Sequence, residues 1–255
     1  MAIATVENIV ISSLYSVYSL GISWDYSIDP TVIGYNIYRG NSIETDAMTK
    51  LNATAIGVNM YVDTTVVQEL VTNYYYSVTA VSLAEESIKS TPVTLVLEEL
   101  TTQTPVYYAL KEIINRHTKV LEFDGEDCVF LIKKRIGTRC PCWREADQRS
   151  FADCATCYGT GIVGGYDKLS GMRFRYLDKN FTQQLVDIGL RSDVAPTGWV
   201  SDFPLLNQDD VVVRLNNKRY WIVTPMRNVH AGIITQQNFE LKEIEPFHYI
   251  YNFEA

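Results

Sequence analysis

The chain has little of what a catalytic or membrane-spanning protein needs. Only three histidines, His117, His230 and His248, occur in 255 residues, and they fall in unrelated segments. There is no Gly-x-x-x-x-Gly-Lys-Ser/Thr phosphate cradle, no Gly-x-Ser-x-Gly nucleophile elbow and no His-Glu-x-x-His metal helix. No apolar run is long enough to cross a bilayer, so no transmembrane helix is expected. The opening Met1-Ala2-Ile3-Ala4-Thr5-Val6-Glu7 carries neither a basic n-region nor an apolar h-region, so a secreted product is not expected. A net charge of −8 disfavours a general nucleic-acid coat, which is ordinarily basic. Adjacent carboxylates such as Asp209-Asp210 and Glu98-Glu99 would face opposite ways on a strand and make poor acid–base pairs. No convergent catalytic set remains, and the chain is expected not to be an enzyme.

Cysteine is also scarce, yet four of the five lie within eighteen residues, in Cys140-Pro141-Cys142 and Cys154-Ala155-Thr156-Cys157. Two close pairs separated by a short loop are the usual sign of a tetrahedral four-thiolate zinc site. The expected cofactor is therefore one structural Zn2+ on Cys140, Cys142, Cys154 and Cys157. A pair of disulfides is the alternative, but a reducing compartment favours metal over cystine. Four protein thiolates fill the coordination shell and leave no place for water or substrate, so a catalytic metal is not expected. The second pair opens a glycine-rich tract, Cys157-Tyr158-Gly159-Thr160-Gly161-Ile162-Val163-Gly164-Gly165-Tyr166. Its glycines supply φ > 0 conformations and let backbone N–H groups turn toward the sulfurs. Read as Cys-x-x-Cys-x-Gly-x-Gly, residues 154–161 resemble one zinc-binding repeat of the DnaJ-type chaperones. The fifth cysteine, Cys128, sits in Cys128-Val129-Phe130-Leu131-Ile132 and is expected to be a small buried hydrophobe.

Residues 1–98 read as short β segments at 9–12, 18–26, 33–39, 74–82 and 92–97, rich in Val, Ile, Tyr and Trp. Asp29-Pro30, Gly40-Asn41 and the Asn73 region punctuate them. Alternation puts Tyr35, Ile37 and Arg39 on one face, and Gly34, Asn36 and Tyr38 on the other. Several strands at this spacing argue for a sandwich. Trp24 in Gly21-Ile22-Ser23-Trp24-Asp25-Tyr26 resembles the core tryptophan of a fibronectin type III domain's second strand. Residues 33–40 are similar to that fold's third strand, and 61–64 and 72–82 to its fifth and sixth, with Tyr74 in the place of the tyrosine-corner residue. The usual Pro-Gly turn is missing at Gln68-Glu69-Leu70-Val71.

Leu100-Thr101-Thr102-Gln103-Thr104 reads as a polar hinge, and Thr104-Pro105 as an N-cap followed by proline at the first helical position. Val106, Leu110, Ile113, Ile114 and His117 then give one apolar stripe over about three turns. His117 is expected to be packed rather than metal-bound, because the cysteines already number four. Strand character resumes over 120–136. Lys133, Lys134, Arg135, Arg139, Arg144 and Arg149 against Glu145 and Asp147 form a positive island. A solvated face, or a patch matching an acidic neighbour, is the reading preferred over a phosphate contact. Further on, 209–215 and 218–223 flank Asn216-Asn217, a two-residue link suited to a hairpin. Residues 233–244 make a third strand, with Pro225 and Pro246 as expected boundaries and Phe203-Pro204-Leu205-Leu206 as an entering loop. Another strand-and-loop region is expected within 178–191.

The expected architecture is mainly β and multi-domain: a fibronectin type III-like sandwich over 1–99, a linker and short helix over 100–122, a strand with the four-cysteine, zinc-stapled segment over 123–168, and a small β-barrel or sandwich over 169–255. The segments Gly137-Thr138-Arg139-Cys140-Pro141-Cys142-Trp143, 157–166 and Pro204-Leu205-Leu206-Asn207-Gln208-Asp209-Asp210 resemble virion structural proteins of large tailed bacteriophages, including neck or head–tail connector components that carry a fibronectin-like domain. That resemblance implies a structural protein of the virion, assembled in the bacterial host cytoplasm. Its implied partners are connector, portal or tail proteins and copies of itself in a ring, with no membrane. Trp143, Tyr158, Tyr220 and Trp221 are candidate interface anchors, with core filling as the alternative. Two other functions fit the same parts: a host-surface or glycan-binding tail or fibre protein, and a zinc-dependent nucleic-acid-binding protein using the basic island.

Overall fold

Among the described residues, short apolar runs broken by turn residues become strands, and one longer helical stripe becomes a helix. The computed structural model describes residues 3–14, 19–66, 74–94, 105–177, 184–186, 189–191 and 195–254. Expectations placed on Tyr18, on 67–73, on the carboxylates Glu98 and Glu99, on the 100–104 hinge and on most of 178–191 lie outside these residues. Two compact units divide the chain. One comprises 1–103, 131–169 and 247–255, and the other 104–130 and 170–246.

In the first unit, β1 (Val10–Ser13), β2 (Leu20–Ser23) and β5 (Met60–Asp63) form one antiparallel sheet in the order β1-β2-β5. A second sheet, β4-β3-β6-β7, is built from β3 (Gly34–Gly40), β4 (Thr49–Lys50), β6 (Tyr75–Val81) and β7 (Val93–Thr94). This is a fibronectin type III-like β-sandwich. Period-two alternation sends Tyr35 and Ile37 of β3, and Tyr76, Val78 and Ala80 of β6, into one core with Ile22 and Trp24. Burying each of the larger apolar side chains contributes about 1.5–3 kcal/mol. The Trp24 ring meets Tyr35 edge-on, with centroids 5.3 Å apart. Tyr74, expected at the corner position, is half-buried beneath Arg39. Tyr76 donates to Asp63 Oδ2 at 2.8 Å from a fully buried position and ties β6 to β5.

The helix α1 (Pro105–Asp124) begins at the expected proline but runs for 20 residues, further than the stripe suggested, so residues 120–124 are helical rather than extended. Ile113 is exposed, whereas Leu110 and Leu121 are buried, with Ile114 and His117 half-buried between them at helical spacing. His117 Nδ1 lies 2.9 Å from the Thr235 carbonyl, and its ring stands edge-on to Trp199. The histidine is packed, as its place on the stripe implied.

A closed barrel follows, in the order β12-β15-β14-β13-β8-β9. Its strands are β8 (Glu126–Lys133), β9 (Tyr166–Leu177), β12 (Thr197–Val200), β13 (Val211–Arg214), β14 (Arg219–His230) and β15 (Ile233–Glu243). Between β9 and β12, β10 (Gln184–Val186) and β11 (Gly189–Arg191) form a separate hairpin. In the barrel interior Phe130 meets Phe174 edge-on and Phe174 stacks on Phe239, and Tyr220 is buried there too, which removes it from the candidate interface anchors. Cys128 is buried, and burial pushes its thiol well above the ordinary value. Asn217 turns the β13–β14 hairpin at φ 59°, but the link is longer than the expected two residues, with Leu215, Asn216 and Asn217 looping out beyond the Arg214 N–H to Lys218 O bond. Pro225 is not a boundary: β14 continues through it to His230, and Pro225 pairs with Phe239. The proline is tolerated because β14 pairs with β13 only over Arg219–Trp221 and carries a bulge between Ile222 and Thr224.

Candidate metal centre

The four cysteines lie in the connection between β8 and β9, two strands of the barrel, so the zinc segment expected over 123–168 is an insertion into a hairpin. Lys134 N–H donates to the Gly165 carbonyl at 3.0 Å and closes the neck of this insertion. Inside it, Cys140 N–H donates to Gly161 O and Val163 N–H to Thr138 O, each at 2.9 Å, so the two cysteine hooks face each other across a short antiparallel ladder. A turn closed by Trp143 N–H on Cys140 O shapes the first hook, and Tyr158 N–H on Cys154 O shapes the second.

This folding brings all four sulfurs within 4.8 Å of one another. Cys140 Sγ lies 3.7 Å from Cys154 Sγ, and Cys142 Sγ lies 3.4 Å from Cys157 Sγ. A tetrahedron of thiolates about 2.3 Å from a zinc ion has edges of about 3.8 Å, whereas a disulfide needs about 2.05 Å. The spacing and the all-sulfur donor set therefore fit a four-coordinate soft metal site, and all five cysteines are free thiols. Cys140 and Cys157 are buried and Cys142 and Cys154 half-buried, so the cluster is seated in the segment rather than hung from its surface.

Backbone donors are aimed at the sulfurs. The N–H groups of Thr156 and Cys157 bring the Cys154 thiol down to about 6. Burial pushes Cys140, Cys142 and Cys157 up, against N–H groups from Cys142, Phe151, and Gly161 with Gly159 respectively. A metal ion would supply the charge that overcomes this desolvation. Two glycines are required by the geometry. Gly161 has φ +81°, and a Cβ there would stand 2.7 Å from the Trp143 ring. Gly165 has φ +64°, and its Cβ would stand 2.7 Å from the Cys157 carbonyl. Both needs, left-handed backbone and close approach, exclude a side chain.

Several supporting residues were not legible in the sequence. Phe253, near the C-terminus, meets Tyr158 at 5.2 Å and Tyr166 at 6.1 Å, both edge-on, so a distant segment braces the second hook. Asp167, at the start of β9, accepts Gly57 N–H at 2.9 Å and pairs with Lys134 at 3.3 Å. Ile136 packs against the sandwich core. Within the basic island, Arg139 lies 4.3 Å over the Trp143 ring and Arg144 4.3 Å over Phe151. Asp209 and Asp210 do not form a joint site, since Asp209 is exposed while Asp210 is buried and accepts Asn207 N–H at 2.7 Å.

No family model matches the chain, and no curated protein matches it. Among solved structures it is similar to an Fn3-like protein from Clostridium thermocellum, at 28% identity over 37% of this chain and 92% of that one, with a TM-score of 0.33. It is also similar to a myokine structure, at 22% identity over 36% of this chain and 95% of that one (TM-score 0.31), and to the pectate lyase PelI from Erwinia chrysanthemi, at 20% identity over 38% of this chain and 30% of that one (TM-score 0.31). The sandwich assignment rests on the strand pairing rather than on these likenesses.

Proposed function

We propose that this chain is a non-catalytic structural component of a tailed-bacteriophage virion, a neck or head–tail connector protein repeated around the particle axis. In this reading one zinc ion, held by Cys140, Cys142, Cys154 and Cys157, staples the insertion, and the fibronectin-like sandwich is a docking module. The observation that carries the reading is the four-sulfur cluster. A metal enclosed by four thiolates fixes the shape of a segment with few buried side chains of its own and has no coordination position to offer a substrate. The virion setting is supported by the resemblance of 137–143, 157–166 and 204–210, and the first two of these segments lie in the insertion itself. The partners would be other virion proteins and further copies of this chain.

Two measurements test the proposal. Elemental analysis of the purified chain should give one zinc per molecule. Mass spectrometry and immunogold labelling of purified particles should place the chain at the head–tail junction. Labelling confined to tail fibres would favour the host-surface reading instead, and absence from the particles would end the virion assignment.

A further inference from the structure

Charge is distributed very unevenly along the chain. Residues 1–99 hold eleven acidic against three basic side chains, whereas the remaining residues hold nineteen of each. The imbalance is visible on the outer face of the β4-β3-β6-β7 sheet. Lys89 crosses this face, its ammonium 4.6 Å over the Tyr38 ring and 2.5 Å from Thr45 O, which brings the 43–46 turn and the 83–88 segment to one surface. Glu44, Asp46 and Glu85 are exposed there, and among the described residues no cation pairs with them. Ile43, Leu83 and Ile88 stand among these acids at 67%, 87% and 77% exposure.

The four-cysteine segment has the opposite character. Over 133–157, the span that holds all four cysteines, six cations face three carboxylates, and adding the −2 of a zinc ion with four thiolates still leaves an excess of one positive charge. Arg135, Arg139 and Arg149 are exposed, with no carboxylate partner among the described residues. Phe151 and Val163 are exposed beside them. The segment meets its own sandwich around Gly57, Ile136 and Asp167.

We propose that the basic face of this segment docks on the acidic outer sheet face of a second copy. Each surface mixes exposed apolar side chains with an excess of charge, acidic on one and basic on the other, which is the complementarity that steers and registers an interface. The two surfaces differ, so one such contact either closes as a reciprocal pair about a two-fold axis or continues as a ring or chain of copies. The inference deepens the proposed function by naming the surfaces through which copies meet, and it draws on that reading only for the idea of repeated copies.

Sedimentation velocity on the full zinc-loaded chain tests it. The parent should self-associate, and association should weaken at least tenfold from about 0.05 M to about 0.5 M salt. Arg135→Glu with Arg149→Glu, and separately Glu44→Lys with Asp46→Lys, should each give monomers of unchanged zinc content and melting temperature. Mixed together, the two variants should pair again, because the reversed basic face of one now matches the reversed acidic face of the other. That rescue also excludes misfolding as the cause of lost association. A parent monomeric at both salt concentrations, variants that associate like the parent, or a mixture that stays monomeric would each overturn the proposal. A short DNA duplex serves as the competing probe. If Arg135→Glu with Arg149→Glu abolishes DNA binding and leaves self-association intact, the occupant is nucleic acid and the proposal fails. Charge-exchange pairing by a chain absent from purified virions would end the virion reading and leave this inference standing.

Discussion

Removing the metal should melt one segment and leave two cores intact. Between Lys134 and Gly165 the fully buried side chains are Cys140, Cys157 and Ile162, so the one that is not a sulfur is an isoleucine, with Ile136 and Tyr158 half-buried. That isoleucine contributes about 1.5–3 kcal/mol, whereas a structural zinc contributes roughly 10–16 kcal/mol of apparent binding energy to a comparably small peptide fold. The metal term is the larger by several-fold, and without it the ladder that seats the hooks has little to hold it. Hydrogen–deuterium exchange read by mass spectrometry, before and after complete chelation, resolves this by peptide. Amides of Cys140, Tyr158, Thr160 and Val163 should pass from protected to freely exchanging. Amides of β3 and β6, sealed over Tyr35, Ile37, Tyr76 and Val78, should keep their protection. Replacing Cys157 with Ser should reproduce the pattern and weaken zinc binding by more than about a hundredfold, since losing a group that only hydrogen-bonds a metal ligand already costs about ten- to a hundredfold. Unchanged exchange across 138–163 in verified metal-free protein would refute the stapling argument.

Gly161→Ala should lower the melting temperature and weaken zinc retention, because the left-handed backbone costs about 1–2 kcal/mol and the new Cβ displaces the Trp143 ring; chelator competition measures the second effect. Phe253→Ala should raise exchange around Tyr158 and Tyr166 while zinc stays bound, since each lost edge-on contact is worth about 0.5–1.5 kcal/mol. Tyr76→Phe removes a hydrogen bond to a carboxylate and should destabilise the sandwich by about 1.5–3 kcal/mol in urea titration. Burial opposes ionisation of Asp63, yet the Thr65 donors, Tyr76 and Arg39 outweigh it and hold the carboxyl below its ordinary value. The resulting stability is present above the ordinary carboxylate range and lost as pH falls through the depressed folded value, so Asp63→Asn should flatten the acid limb of a stability–pH curve. At the alkaline end, burial and Glu86 push Tyr38 up to about 12, and the stability tied to its neutral form should fade between about pH 10 and that value.

Composition and local pattern by themselves determined the strand-rich character, the sandwich core around Trp24, Tyr35 and Ile37, the Asn217 turn, the packed His117 and the cluster of four cysteines. These are short-range facts: alternation, helical spacing and the two hooks are each written within a few neighbouring residues. Tertiary structure alone decided that the barrel closes, that the sulfur segment is an insertion between β8 and β9, and that β14 runs on through Pro225. It also decided that Phe253 braces Tyr158, that Asp167 meets Gly57, and that Tyr76 reaches Asp63. The closing pairs of the barrel, β8 with β13 and β9 with β12, join strands far apart in sequence. No local period encodes which distant edges meet, because that choice depends on the apolar area and hydrogen bonds that only the assembled chain can satisfy.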